Sequence, residues 1–265
     1  MINTVETGCM SQEGKMKRPV DTTVTSIRIL EQLKQEGGMT LDELAEEMEP
    51  ARSTIHRHLL TLQQEELINR RDGMYHVGLR LFDFGVHARN NLPVYDVAKD
   101  QVDKLAKRTG EIVWLIAKDH DWTIYLYKSG ERQPEIHSRL GKRRHLHQLA
   151  AGKAILAHLP EAERQAIIER QGLPTRTENT VTELEDLSKE LERIRKRGVA
   201  FNRKESVMGL NAIAAPIRDE DGYPMSAISI SGPARRLQGP FFEEELPNEL
   251  LAAIDTVQIQ LRNHR

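Results

Sequence analysis

Thr40-Leu41-Asp42-Glu43-Leu44-Ala45-Glu46-Glu47-Met48-Glu49-Pro50-Ala51-Arg52-Ser53-Thr54-Ile55-His56-Arg57-His58-Leu59 is the stretch whose reading decides the N-terminal fold. Thr40, with Glu43 three residues on, spells a capping box, in which a hydroxyl and a carboxylate each satisfy a backbone N–H at a helix start. Leu41, Leu44, Ala45 and Met48 give that helix one apolar face, and Pro50 breaks it. A further helix is expected from about Arg52 to Glu65, with Ile55, Leu59 and Leu62 inward and Arg52, Ser53, His56 and Arg57 outside. The pattern is helix, short turn, helix.

Working outward, Val24, Ile27, Leu30 and Leu33 recur at helical spacing before Gly37-Gly38, and predict a preceding helix. Downstream, residues 68–71 and 74–77 are extended-type runs joined across Asp72-Gly73, a pair that favours a two-residue hairpin turn. Three helices and a hairpin make a winged helix-turn-helix. A connecting helix is expected over 79–91, ending before Pro93.

The net charge of −2 over 265 residues hides a local segregation. Leu41 to Glu49 holds five acids and no base, whereas Pro50 to Gln64 holds Arg52, Arg57, His56 and His58 and no acid. A phosphate backbone meets this local field, not the average. The expected DNA contacts are therefore Arg52, Ser53 and Thr54 in the first turn of the recognition helix, His56 and Arg57 beyond it, and Arg70 and Arg71 in the wing.

Beyond Pro93 a helix runs to Gly110. Extended runs at 112–117 and 122–127 flank Asp119-His120-Asp121, helices fit 151–158, 161–171 and 183–197, strands at 212–217 and 225–231 flank Asp221-Gly222, and a last helix fits 246–261. Hairpins interleaved with helices give an α+β domain. The domain boundaries read as a polar, disordered leader at 1–22 carrying Lys15, Lys17 and Arg18, a DNA-binding domain at 23–80, a linker helix at 81–92 and a second domain at 93–265.

Several chemistries drop out. With 38% hydrophobic and 29% charged residues, and no apolar run near the roughly 20 residues that span a bilayer, the chain reads as soluble, non-membrane and, having no secretory leader, cytoplasmic. One cysteine, Cys9, excludes a disulfide framework and a multi-cysteine metal site. His145 and His147 would share a face on a strand, but no third ligand stands nearby, so no metal and no cofactor are expected. Gly141-Lys142-Arg143-Arg144 and Gly152-Lys153-Ala154 lack the spacing of a nucleotide-phosphate loop. Ile228-Ser229-Ile230-Ser231-Gly232 lacks a nucleophile elbow; its two serines face one side of a strand, where they serve either a small ligand or a solvated face.

The segments 40–45, 52–59 and Tyr75-His76-Val77-Gly78 resemble the DNA-binding half of the IclR-type transcriptional regulators. Gly141…Leu146-His147-Gln148-Leu149-Ala150-Ala151-Gly152-Lys153-Ala154 resembles that family's effector-domain motif, as do Gly198-Val199-Ala200-Phe201…Glu205…Gly209…Ala212-Ile213-Ala214-Ala215-Pro216 and Ala227–Pro233. The resemblance covers about residues 23–262 and implies a winged helix, a linker helix and a GAF-like or profilin-like antiparallel-sheet domain that binds a small metabolite. It further implies a homodimer or homotetramer on a partly palindromic double-stranded operator; no catalysis is expected, because the inferred pocket has only neutral Ser and Asn around one Arg and no placed nucleophile or acid–base pair. Carried over position by position, the effector-binding residues are Arg144, Ala150, Ala151, Asn202, Leu210, Ala212, Ser229 and Ser231. Trp114 is added as an aromatic wall or a core residue.

Members of the family often have Leu-Pro where Arg144-His145 stands, an acid at Asn202 and a cysteine at Ala212. A gained cation and a lost carboxylate both favour an anion. The expected effector is an organic acid paired to Arg144 with Ser229 and Ser231 as donors, unless Arg144 turns out to water. Near the recognition helix, Glu49 replaces the usual glycine and the proline is displaced to Pro50. The competing readings are an enzyme acting on a small organic acid and an adaptor whose winged helix binds a partner other than DNA.

Overall fold

The structure, a computed structural model, describes residues 19–131 and 138–263. Cys9, Lys15, Lys17, Arg18 and most of the leader lie outside the described residues. The chain forms two compact units that divide between Gly85 and Val86.

The first unit holds α1 (Asp21–Glu36), α2 (Leu41–Glu47), α3 (Arg52–Gln64) and a hairpin of β1 (Ile68–Arg71) and β2 (Met74–Val77). Thr40 caps α2 as its spacing requires: the Glu43 N–H donates to Thr40 Oγ1 at 3.3 Å, and the Thr40 N–H donates to Glu43 Oε2 at 2.7 Å. At the hairpin tip Asp72 and Gly73 both take positive φ, 49° and 83°, as a two-residue turn matched to strand twist demands. Met39 adds a one-residue bridge to Tyr75, a third, minimal strand. Ile29, Leu33, Leu44, Ile55, Leu59 and Ile68 close the small core.

The buried stripe of α1 differs from its expected phase. Ile29 is 0% exposed and Ile27 is 52% exposed, so the inward face runs through Ile29 and Leu33. Next to that face Ser26 Oγ and His58 Nδ1 lie 2.8 Å apart and tie α1 to α3.

α4 (Arg80–Asn90) begins one residue before the expected linker helix at 81–92, buries none of its side chains, and has the division between the units within it. The second unit holds α5 (Pro93–Thr109), β3 (Ile112–Asp119), β4 (Trp122–Ser129), β5 (Arg143–His145), α6 (Ala150–His158), α7 (Glu161–Gln171), α8 (Leu184–Arg197), β6 (Ala200–Arg203), β7 (Leu210–Arg218), β8 (Pro224–Pro233) and α9 (Leu246–Asn263). The six strands pair antiparallel in the order β5-β4-β3-β8-β7-β6. One face packs Val113, Leu115, Ile213, Ile228 and Ile230 against α5 and α9, while the other packs Trp114, Ile116, Ala214 and Ala227 against α6 and α8. Burial on both faces explains why Ile112 to Ala117 reads as an unbroken apolar run.

Candidate functional site

The second unit carries a cavity of about 200 Å³ on the α6 face of the sheet. Alternation along the strands places Trp114 and Ile116 of β3, Tyr125 of β4, Ala212 of β7, and Ser229 and Ser231 of β8 on its lining, together with Asn202 of β6, Arg144 of β5 and Leu149 and Ala150 at the start of α6. Eight of the nine expected effector residues therefore meet in one place: Trp114, Arg144, Ala150, Asn202, Leu210, Ala212, Ser229 and Ser231. Ala151 does not. It is buried in the core between α6 and the sheet, because successive helix positions turn by about 100° and only Ala150 faces the opening.

Trp114 is both wall and core. Its ring meets Tyr125 edge-on at 4.9 Å, and its Nε1–H donates to Ser231 Oγ at 3.0 Å. Ser231 in turn donates to the Ile112 carbonyl at 3.4 Å, so its hydroxyl is largely taken up by the protein. Ser229 is buried, and its hydroxyl has no hydrogen-bond partner among the described residues. Asn202 is occupied as well: its amide donates to the Gln148 carbonyl at 2.9 Å and accepts from the Glu205 N–H at 3.2 Å, which fixes the strap between β6 and β7.

Three cations line the cavity, Lys142, Arg144 and Arg176, and its described lining contains no carboxylate. Arg144 is half-buried and turned into the cavity; burial first, and then the neighbouring Arg176, hold its pKa below the usual guanidinium value. The Lys142 ammonium is pushed down by burial, then by Arg144, Arg176 and Arg139. Both groups are repelled by like charges, with no carboxylate in the described lining to offset them and only the Tyr125 phenol opposing the shift at Arg144. Sequence reasoning missed Lys142, Arg176 and Tyr125. Arg176 comes from the loop after α7, which no local pattern ties to the sheet.

His145 and His147 do not share a strand face. β5 ends at His145, and Leu146–Gln148 is a short 3-10 turn, in which the His147 Nε2–H donates to the Pro174 carbonyl at 3.1 Å. Lys153, in the same motif, is 0% exposed and forms ion pairs with Glu190 of α8, at 2.8 Å, and with Glu205 of the strap. Burial raises the pKa of Glu205, with Lys153 opposing that shift. This network clamps the strap to α6 and α8 beside the cavity.

On the first unit, α3 exposes Arg52, Ser53, Thr54, His56 and Arg57 and buries Ile55, Leu59 and Leu62. Its N-cap is Ala51, whose side chain cannot cap; the Thr54 N–H donates to the Ala51 carbonyl at 2.8 Å, and the Arg52 and Ser53 N–H groups have no partner among the described residues and are open to an anion. Arg52 Nε donates to Asp42 Oδ1 of α2 at 2.6 Å, which holds that carboxyl below its usual range. Arg70 and Arg71 are exposed on β1, and the Arg70 guanidinium sits 5.3 Å from the centre of the Tyr75 ring. The expected DNA contacts are thus all on the surface of one unit.

Residues 86–258 match the family described as bacterial transcriptional regulator IclR, C-terminal, and residues 22–73 match the MarR family. The probable HTH-type transcriptional regulator ArcR of Halobacterium salinarum is 31% identical over 249 residues, 92% of this chain and 95% of that protein. The crystal structure of Thermotoga maritima IclR is similar at 33% identity and a TM-score of 0.73, over 91% of this chain and 98% of that one. An IclR homologue from Microbacterium hydrocarbonoxydans, crystallised in complex with 4-hydroxybenzoate, shares the fold at 23% identity and a TM-score of 0.78, over 91% and 99% of the two chains. With its winged helix, its six-stranded domain and these matches, the chain belongs to the IclR family of DNA-binding transcriptional regulators.

Proposed function

We propose that this regulator changes its affinity for an operator when a small organic acid binds the cavity of the second unit. The observation that carries this reading is a set of cations with no ion-pair partner among the described residues, over a floor of Trp114, Ile116, Tyr125 and the Ser229 hydroxyl. A guanidinium offers paired donors that fit a carboxylate, and the aromatic floor takes up its carbon skeleton. At about 200 Å³ the space lies below the roughly 300–1,000 Å³ of drug-sized sites, which favours a small metabolite over a nucleotide cofactor. The 4-hydroxybenzoate held by the Microbacterium homologue is an acid of this kind. Binding without turnover is favoured over an enzyme because the described lining offers neither a carboxylate nor a histidine for acid–base work.

DNA is contacted by Arg52, Ser53, Thr54, His56 and Arg57 of α3, with Arg70 and Arg71 of the wing on the flanking backbone. The regulator acts as a homo-oligomer, dimer or tetramer, on a partly palindromic site. Leu79 and Phe82, which are 83% and 70% exposed, are the kind of apolar surface a second copy covers. The readings as soluble and cytoplasmic fit a chain in which no described helix is long and apolar enough to cross a membrane.

A thermal-shift screen of the purified protein against small aliphatic and aromatic acids, 4-hydroxybenzoate among them, with their neutral amides as controls, tests the effector reading. An acid at 100 times its dissociation constant stabilises the fold by about 2.7 kcal/mol, and its amide does not. That acid then alters operator binding in a mobility-shift assay. An amide that stabilises the protein as well as its acid sinks the anionic reading.

A further inference from the structure

One carboxylate cannot neutralise the cavity just described. Lys142, Arg144 and Arg176 converge on it; Lys142 is repelled by Arg144 and Arg176, Arg144 is repelled by Arg176 with only the Tyr125 phenol opposing, and the described lining holds no carboxylate. Their free donors outnumber what one anionic group can accept. Arg176 spends only its Nε–H, on the Ser206 carbonyl at 3.0 Å, which orients the guanidinium and leaves both terminal NH2 groups for a ligand. Arg144 has no side-chain hydrogen bond or ion pair among the described residues, so its whole fork is available, and Lys142 is equally without a partner there. A single carboxylate fills one guanidinium fork and leaves two like charges facing each other in a partly desolvated space.

Resting on the organic-acid reading above, we infer that the effector is a small dianion whose two anionic groups are shared among Lys142, Arg144 and Arg176. The second group binds where the first leaves charge uncompensated, and the three cations against two anionic groups keep a residual attraction for the ligand. The apolar lining fixes what joins the two groups. Trp114, Ile116 and Tyr125 suit a short carbon skeleton, and about 200 Å³, some seven waters at roughly 30 Å³ each, limits its length. A dicarboxylate and a carboxylate-bearing phosphate ester share this chemistry, the phosphate contributing roughly −1.5 to −2 charges at neutral pH.

Isothermal titration calorimetry on the full-length protein, with matched probes, separates the cases. The pairs are butyrate and succinate, benzoate and terephthalate, and glycolate and phosphoglycolate. At least one ligand with two anionic groups (succinate, terephthalate or phosphoglycolate) binds about tenfold tighter than its single-carboxylate partner, with one ligand per protomer, as an added charge-assisted hydrogen bond predicts. The first two pairs report a dicarboxylate and the third a phosphate ester. In Arg176→Ala, an exposed loop position, the ratio of the two affinities falls to within about twofold; Lys142→Met moves it the same way should Arg176→Ala prove unstable. Equal or tighter binding of the monoanion in every pair overturns the dianion inference and leaves the organic-acid reading standing. So does binding of two monoanions per protomer. If none of the acids binds, both fall together, and a dianion preference that survives in both variants overturns the assignment to these cations.

Discussion

Arg52 and Arg57 leave the same helix about one and a half turns apart, and their surroundings give them different tasks. Arg52 is tied to Asp42 on α2, so part of its hydrogen-bonding capacity goes to setting the angle between the two helices. Arg57 is exposed and makes no ion pair among the described residues, which leaves it free to read a base edge. Arg57→Ala is expected to weaken specific operator binding by about 1–3 kcal/mol and to relax preference at one base pair. Arg71→Ala weakens binding to every sequence alike and lowers the slope of log affinity against log salt by about 0.9 for each phosphate it no longer neutralises. Fluorescence anisotropy over a salt series, on operator and scrambled duplexes, separates the two; an Arg57→Ala effect equal on both duplexes would exclude base readout. Arg52 and Arg57 were legible because a helical period marks exposure. Lys153 was not: within Gly152-Lys153-Ala154 nothing forecasts complete burial, since its acids, Glu190 and Glu205, lie 37 and 52 residues downstream.

At the scale of elements, the parts written in local chemistry were readable and the parts set by assembly were not. The capping box before α2 and the Asp72-Gly73 turn depend on neighbours three residues apart or closer, so the sequence states them outright. β6 and the strap that follows depend on Asn202, Thr180 and Lys153 meeting across the domain. The junction of β5 and α6 belongs to this second kind. A Cβ on Gly152 would overlap the Leu146 carbonyl oxygen, so the helix and the 3-10 turn pack too closely for any side chain. The same packing buries imidazoles. Desolvation lowers the pKa of His147, of His158, whose Nδ1–H donates to the Ala154 carbonyl at 3.0 Å, and of His145, from their usual 6.5. The unfolded chain then binds more protons than the folded one below that value. Stability is full above pH 6.5 and is lost as pH falls through the lowered native values. The melting temperature should therefore hold from pH 8 to 7 and drop towards pH 5 in differential scanning calorimetry. His147→Gln keeps a donor for the Pro174 carbonyl and cannot titrate there, so it should flatten part of the drop. A wild-type profile flat to pH 5 would contradict burial of these rings.

At the scale of the molecule, the family assignment joins two chemistries that sit on different units: exposed arginines on α3 and β1, and three cations lining the cavity of the six-stranded domain. Their coupling is thermodynamic before it is structural. A ligand that binds equally well to the DNA-bound and free protein shifts nothing, however tightly it binds. An effector that lowers operator affinity by a given factor must itself bind the operator complex more weakly by the same factor, typically about 5–150-fold, or 1–3 kcal/mol. The symmetry is demanding because the two affinities are measured by unrelated methods. Anisotropy of a labelled operator with and without the acid gives one factor, and calorimetric titration of the acid into protein with and without saturating operator gives the other. Agreement within about twofold, with the same sign, establishes that one conformational equilibrium links cavity and recognition helix. An effector that binds the operator complex and the free protein with the same affinity would make the cavity a binding site without a regulatory output, and the cations Lys142, Arg144 and Arg176 would then serve the ligand alone.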